Sequence, residues 1–346
     1  MHGAFLADGR NGGLTVGPDR TPRRRLRDQG GEEETVVKST LYIFFAAVLF
    51  ACGLSAGGAN ANGVRAKDDP TFIIGKVTAD ARKSQKRLTA MGNYLAKHLR
   101  DFGVSRAAVR LARSNREMIE ILRRGEVDLI SETPFSAFFL AAHGGGEIIL
   151  REWKKGQASY YTVFIVRKDS GIATLADLRG KKIVFEDPGS TSAFLVPFTI
   201  LREQDFEMVE LASPRETPPA GKGGYVFGRE ELNISFWVSR GIAHAGAFSN
   251  QDWLVRTHDS VKKDLKVIHR TKPITRSVVL VRRGLDQRRK QRIKEVLLRM
   301  HESPEGKKVL KIYYKVKKYD EIEGEAAEHL AEARKIYAHI PPNLMR

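Results

Sequence analysis

The stretch Lys181–Arg202, KKIVFEDPGSTSAFLVPFTILR, constrains the fold more than any other part of the chain. Lys182 to Phe185 is a short β-branched and aromatic run, which reads as a buried strand. Asp187-Pro188-Gly189 then supplies the fixed and the permissive φ that a sharp reversal needs. Ser190, Thr191 and Ser192 come next, and the apolar segment Ala193 to Leu201 has the composition of a helix. A strand, a tight turn, hydroxyls and a helix start together make an anion seat. The first N–H groups of a helix lack intrahelical partners, the macrodipole is positive there, and hydroxyls add donors. The same residues admit a plainer reading, in which Ser190 or Ser192 only caps the helix. No lysine stands in the loop and G-x-x-x-x-G-K-[ST] is not matched, which argues against a nucleotide P-loop.

A chain of 346 residues is long enough for two α/β domains, each with its own core. Its net charge of +18 is high, and the excess concentrates between Arg276 and Lys318. Arg282-Arg283, Arg288-Arg289-Lys290 and Lys317-Lys318 stand there on expected helix surfaces. No zinc-finger spacing or RNA-binding aromatic signature accompanies them, so a solvated basic face is expected and nucleic acid is not. The charge also favours capture of anionic solutes by long-range attraction. One cysteine, Cys52, excludes an internal disulfide and a cysteine-based metal cluster. The histidines are scattered without H-E-x-x-H, so neither a metal nor a cofactor is expected.

Near the N-terminus, Lys38 precedes the apolar run Leu41–Leu49 and the small-residue tract Gly53–Gly63. That order describes a secretory signal over residues 36–61. The run is shorter than the roughly 20 residues of a membrane span. Ala59-Asn60-Ala61 is an A-x-A-like cleavage site, and processing there frees the protein. Leu49-Phe50-Ala51-Cys52 also resembles a lipobox, with Phe50 atypical, and processing before Cys52 leaves a lipid anchor. Residues 1–35 are polar and rich in Gly and Arg, the mark of a disordered segment or of an extension ahead of the true start.

Beyond the signal the chain alternates strand and helix patterns. Thr71–Val77 reads as a strand, and Leu88, Met91, Leu95 and Leu99 recur at helical spacing up to Gly103. Val109–Ala112 is a second strand, succeeded by a helix capped at Asn115. Val127–Ser131 is a third, leading into Thr133-Pro134 and a helix over Phe135–Ala142 that ends at a hinge-like Gly144-Gly145-Gly146 loop. Further strands are expected at Glu147–Trp153 and Tyr160–Arg167, with a second alternating unit from Lys182. Ser213–Gly224 reads as an exposed Pro- and Gly-rich loop. The strand Ser277–Val281 returns to the first domain, and helices from Asp286, Pro304 and Glu325 close the chain. The first lobe is therefore discontinuous, residues 70–167 plus 275–346, and the second is 168–274. Two crossings between lobes make a hinge, and a cleft between lobes is where small ligands bind.

The order of these features resembles the type II periplasmic binding proteins, and more narrowly the phosphate/phosphite/phosphonate-binding subunits of ABC transporters. The likeness rests on Val127–Ala141, Tyr160–Ile172, Leu175–Pro197 and Ser235–Phe248, with DPGSTS and Pro197 its most specific part. It implies an α/β fold of two lobes, each a mostly parallel sheet flanked by helices, joined by a two-segment hinge. It implies that Ser190, Thr191 and Ser192 hold phosphonyl oxygens, in a periplasmic monomer that delivers a small phosphorus oxyanion to an ABC permease. Thr133 and Ser136 at the facing helix start, and Thr78 after the first strand, are the candidates on the other side. Thr133 is equally readable as an N-cap, and Thr78 as a turn former.

The chain departs from the family where a tyrosine is usual, with Ala137 and Phe138 there, and where a histidine is usual, with Val226-Phe227-Gly228 there. Acidic residues that some members use for an aminoalkyl tail are not evident near Phe248-Ser249-Asn250. A small inorganic or apolar-substituted oxyanion therefore fits better than an amine-bearing one. A ligand-sensing subunit for a membrane receptor uses the same closed cleft. An enzyme on this fold is the remaining alternative, but no histidine or cysteine is placed to activate Ser190, so no catalytic residue is assigned.

Overall fold

Strand β1 (Thr71–Val77) alternates with helix α1 (Ala81–His98), whose first turn is fixed by Asp80 accepting from the Lys83 N–H at 3.0 Å. The computed structural model describes residues 69–78 and 80–344, all within the compact unit Gly58–Arg346. The segment 36–61 expected to be a secretory signal, Cys52 and the polar residues 1–35 lie outside the described residues. Leu88, Met91, Leu95 and Leu99 are buried as their spacing requires. Then come β2 (Arg106–Ala112), α2 (Asn115–Arg123), β3 (Leu129–Glu132), α3 (Pro134–Gly144) and β4 (Gly146–Glu152). The cap of α2 is Ser114, whose backbone is still extended and whose hydroxyl accepts from the Glu117 N–H; Asn115 is already inside the helix. The Gly144–Gly146 segment is no hinge. Gly145, at φ 77°, stops α3, and Gly146 begins β4 directly.

The apolar run at 160–167 is divided into β5 (Ser159–Tyr160) and β6 (Thr162–Arg167). The chain continues through β7 (Lys182–Phe185), α4 (Val196–Arg202), β8 (Met208–Glu210), β9 (Gly223–Phe227), α5 (Glu231–Ser239) and β10 (Ala245–Ser249). After α6 (Asp259–Lys262) come β11 (Leu265–Arg270), β12 (Ile274–Thr275), β13 (Val278–Arg282), α7 (Gln287–Arg299), α8 (Pro304–Ile312), β14 (Tyr319–Asp320) and α9 (Glu325–Ala338). Gly223 and Gly224, read as the end of a loop, open β9 in the interior of the second sheet.

One sheet has the order β14-β4-β13-β3-β1-β2, the other β11-β6-β10-β7-β9-β8, and β12 pairs with β5 as a separate ribbon. The sheets are mixed instead of mostly parallel. β1 runs parallel to β2 and β3, but β13 is antiparallel to β3 and β4. In the other sheet β7, β8, β9 and β10 are parallel neighbours, while β6 is antiparallel to β10 and β11. The antiparallel strands include β13 and β6, which adjoin the crossings and enter their sheets against the direction set by the strand–helix units. Helix α9 lies against α3 on one side and α4 on the other, so Phe135, Phe138 and Ile336 share an apolar cluster with Phe164, Phe185, Phe194 and Phe198.

Helix α5 approaches the second sheet closely because Gly246 has no side chain; a Cβ there would sit 2.4 Å from Ile234 Cγ2 and 3.2 Å from Val184 Cγ1. Gly246→Ala is expected to destabilise the fold by about 1–3 kcal/mol through overpacking, read as a lower urea midpoint at unchanged m-value. An unaltered midpoint would show that α5 has slack against β10.

Candidate functional site

The loop after β7 builds one wall of the interlobe cleft. Asp187 Oδ1 accepts from the Gly189 N–H at 2.7 Å, closing the turn. Ser190 caps the next turn, its Oγ accepting from the Ala193 N–H at 3.2 Å. Thr191–Leu195 form a π-helical turn that runs into α4. Ser190 and Ser192 stay partly exposed, whereas Thr191 is buried. Ser190 is also a polar neighbour of the Glu186 carboxyl. The capping reading thus holds for Ser190 and does not describe Thr191 or Ser192.

Across the gap, β3 delivers Thr133 to the start of α3. Thr133 makes no side-chain cap; its Oγ1 accepts from the Thr191 hydroxyl at 3.1 Å, a contact made directly between the lobes. The lobes are therefore closed on each other at this point. Ser136 sits in the first turn of α3, half-buried. Thr78 is not brought to this group. Its hydroxyl is 3.0 Å from that of Ser84 and accepts from the Asp80 N–H, fixing the turn into α1.

Several further residues stand beside this group, among them Tyr160, for which the sequence favours a core or sheet role over a place in the cleft wall. Tyr160, buried on β5, has Thr191, Ser192 and Arg276 as polar neighbours, and burial pushes its pKa up. The Arg276 guanidinium lies 4.4 Å from the centre of the Tyr160 ring. Thr162, at the start of β6, donates to the Ser192 carbonyl at 2.8 Å. At the ends of β1 and β3, Lys76 Nζ stands 2.6 Å from Glu132 Oε1 and donates to the Ser131 carbonyl at 2.9 Å. Both partners are over nine-tenths buried, so removing either leaves an unpaired buried charge costing about 3–5 kcal/mol. A lysine inside the otherwise apolar β1 was the signal in the sequence for this pair.

Tyr314 gathers cations. Arg87, Lys154 and Lys76 lie 4.8, 5.1 and 5.9 Å from its ring centre, and its hydroxyl donates to Ser84 at 3.2 Å. Lys154 keeps some surface in solvent, yet its amine is closely surrounded by protein. Burial first, then the charges of Lys76 and Arg276, lower its pKa to about 7. The opposite wall carries carboxylates. Asp252, two residues beyond the segment where no acid was evident, is buried beside Ser249. Arg256 bridges Glu231 at 2.7 Å and Asp252 at 3.3 Å. Glu186 has its pKa raised by burial, with Glu231 adding like-charge repulsion. Asp252 and Glu231 are held by Ser249 and Arg256, and so are not presented as a bare acidic pocket.

The Lys154 shift has a sign that stability can report. Between about pH 7 and its ordinary pKa of 10.5, the unfolded chain binds the proton that the folded chain has lost, so this amine makes stability rise with pH in that window. Lys154→Met should remove that gain. Urea midpoints at pH 7 and pH 9 are expected to lie closer together in the variant than in the parent; an equal separation would mean that the amine titrates normally.

A family model described as "ABC transporter, phosphonate, periplasmic substrate-binding protein" matches residues 77–326. The phosphonates-binding periplasmic protein of Escherichia coli (strain K12) is 27% identical over 200 residues, 56% of this chain and 56% of that protein. The chain thus aligns with little more than half the length of this curated relative. Among solved structures, XAC2383 from Xanthomonas citri bound to chloride ion is 29% identical with a TM-score of 0.72, covering 79% of this chain and 100% of that one. The same protein bound to ATP gives a TM-score of 0.71. PhnD1 from Prochlorococcus marinus (MIT 9301), in complex with methylphosphonate, is 18% identical with a TM-score of 0.56 and shares the fold, covering 79% and 100% of the two chains. The two sheet-centred lobes are those of the type II periplasmic binding fold.

Proposed function

We propose that this chain, which belongs to the family of periplasmic substrate-binding proteins of phosphonate ABC transporters, captures a small phosphorus oxyanion (phosphonate, phosphite or phosphate) in its interlobe cleft and presents it to a membrane permease. The observation that carries this reading is the meeting of Ser190–Ser192 and Thr133 across the cleft, with Tyr160 and Arg276 behind them. When the lobes part, the Thr133 and Thr191 hydroxyls exchange each other for a solute. Ser190, Ser192 and the helix start behind them supply uncharged donors, and Ser136 adds a hydroxyl from the facing helix. Charge-assisted hydrogen bonds to such donors are individually strong in a closed cleft. Lys154 supports the same reading, because an amine whose charge is disfavoured first by burial and then by neighbouring cations regains it when an anion arrives. The related Xanthomonas citri protein was solved with chloride and with ATP, both anions.

Thr78 is assigned a supporting role, since its hydroxyl is committed to the turn into α1. The chemistry is binding and release, with no nucleophile–base pair assigned. Among the described residues no helix is long and apolar enough to cross a membrane, and delivery to the periplasm rests on the proposed signal at 36–61. A monomer suffices for this mechanism, since both walls of the cleft come from one chain.

Each lost donor to a buried anion costs on the order of 1.5–3 kcal/mol. Ser190→Ala combined with Ser192→Ala should therefore weaken methylphosphonate or phosphate binding by roughly a hundredfold or more in calorimetry. Unchanged affinity in the double variant would remove these hydroxyls from the seat.

A further inference from the structure

The outer end of the cleft carries positive charge that one small oxyanion in the seat leaves unused. A cavity of about 450 Å³ opens there between the lobes, and Arg87, Lys155, Arg256, Lys311, Lys315 and Tyr314 line it. Asp252 is the carboxylate among its lining residues, and it is held by Ser249 and Arg256. Arg256 is thereby committed, to Glu231 as well. Arg87, Lys155, Lys311 and Lys315 have no carboxylate partner among the described residues, and they come from both the α1–α8 side and the segment leading to β5. Asp252 and Glu231 also act on Lys155, but both are already shared with Arg256, so cations outnumber carboxylates around the space and an anion entering it is favoured.

The backbone around this cavity is also unusual. Lys155, Tyr314 and Lys315 have φ of 54°, 51° and 54°, in the left-handed region that residues with a side chain seldom adopt. Of the non-glycine residues with positive φ among the described residues, three of the five line this one cavity. The two strained segments fix each other, the Lys155 N–H donating to the Tyr314 carbonyl at 3.3 Å. Such conformations persist where the surroundings over-determine them, and they gather at ligand clamps. Lys154 bridges the cavity and the seat. Its amine lies 5.1 Å from the centre of the Tyr314 ring and feels the charges of Lys76 and Arg276, and Arg276 reaches Tyr160.

We propose that this mouth is a second anion subsite, so that the cleft takes a solute with one phosphoryl group at Ser190–Ser192 and another among Arg87, Lys155, Lys311 and Lys315. The ligand class is a polyphosphorylated solute. This rests on the oxyanion-seat reading and extends it. The division of labour comes from the donors: uncharged hydroxyls and amides grip the first group in the closed interior, while flexible amines gather the second at the solvent edge.

The test is calorimetric titration of the mature protein at fixed ionic strength with phosphate, methylphosphonate, pyrophosphate and tripolyphosphate. Pyrophosphate or tripolyphosphate is expected to bind at least about tenfold tighter than phosphate. Lys311→Gln with Lys315→Asn, the asparagine chosen because it tolerates left-handed backbone, should abolish that preference. Methylphosphonate affinity should then stay within about twofold of the parent, which also reports that the variant is folded. Equal affinity for mono- and polyphosphates, or a preference that survives the lysine substitutions, overturns the second subsite alone. Failure of every probe to bind, or affinities indifferent to Ser190→Ala with Ser192→Ala, overturns the seat and this inference with it.

Discussion

The pairing of β5 with β12 is the constraint on which the cleft depends. At this point the chain passes between the sheets in both directions, and the two passages are stitched by Ile274–Tyr160 and Thr275–Ser159. The Arg276 N–H donates to the Ala158 carbonyl at 2.9 Å and the Thr271 N–H to the Thr162 carbonyl at 3.0 Å. Strand pairs of this length hold direction through backbone hydrogen bonds while leaving the lobes on either side able to rotate. The ribbon also delivers chemistry. Tyr160 and Arg276 stand on it or at its edge, Lys154 and Lys155 just before it, and Thr162 just after it secures Ser192. A displacement of the ribbon would move every one of these groups relative to Thr133.

The charges are arranged around that ribbon. The lobe I floor buries Lys76 with Glu132, and the Ser131 carbonyl and the Val77 N–H add a hydrogen bond to each partner of the pair. The lobe II wall keeps its carboxylates on Arg256 and Ser249. Cationic charge gathers at the crossing and the mouth, on Lys154, Lys155, Arg276 and the lysines at the end of α8 and beyond it. A chain with a net charge of +18 spreads much of that excess over solvated surface, but here a part of it is turned inward. The proposed preference for anions thus rests on two kinds of group, preorganised neutral donors inside and unpaired cations outside.

Much of the architecture was legible because its elements are strongly patterned. The apolar spacing of α1, and of Ile293, Val296, Leu297 and Met300 along α7 and its end, matches burial residue by residue. β9 was missed because Gly223-Gly224 imitates loop composition, whereas in the sheet they admit Met208 and Leu211 at distances that exclude a Cβ. β14 is two residues long, too short for any periodicity, and is fixed by Asp320 receiving Arg151 at 2.9 and 2.7 Å. The mixed strand directions were invisible because alternation of strands and helices describes local units and says nothing about the strands that arrive from another lobe. Asp252 escaped notice for a similar reason, being brought beside Glu231 and Glu186 only by the turn after β10.

Neighbouring residues were enough to establish the α/β class and the strand–turn–hydroxyl–helix unit at 182–202, and to raise the export signal as an expectation, because in each case the local preferences agree with one another. Long-range packing was needed to show that Thr133 meets Thr191, and that Lys154, Arg276 and Tyr314 converge. Most of these contacts join residues from tens to more than a hundred positions apart, and their energies depend on burial and distance, which no local pattern encodes.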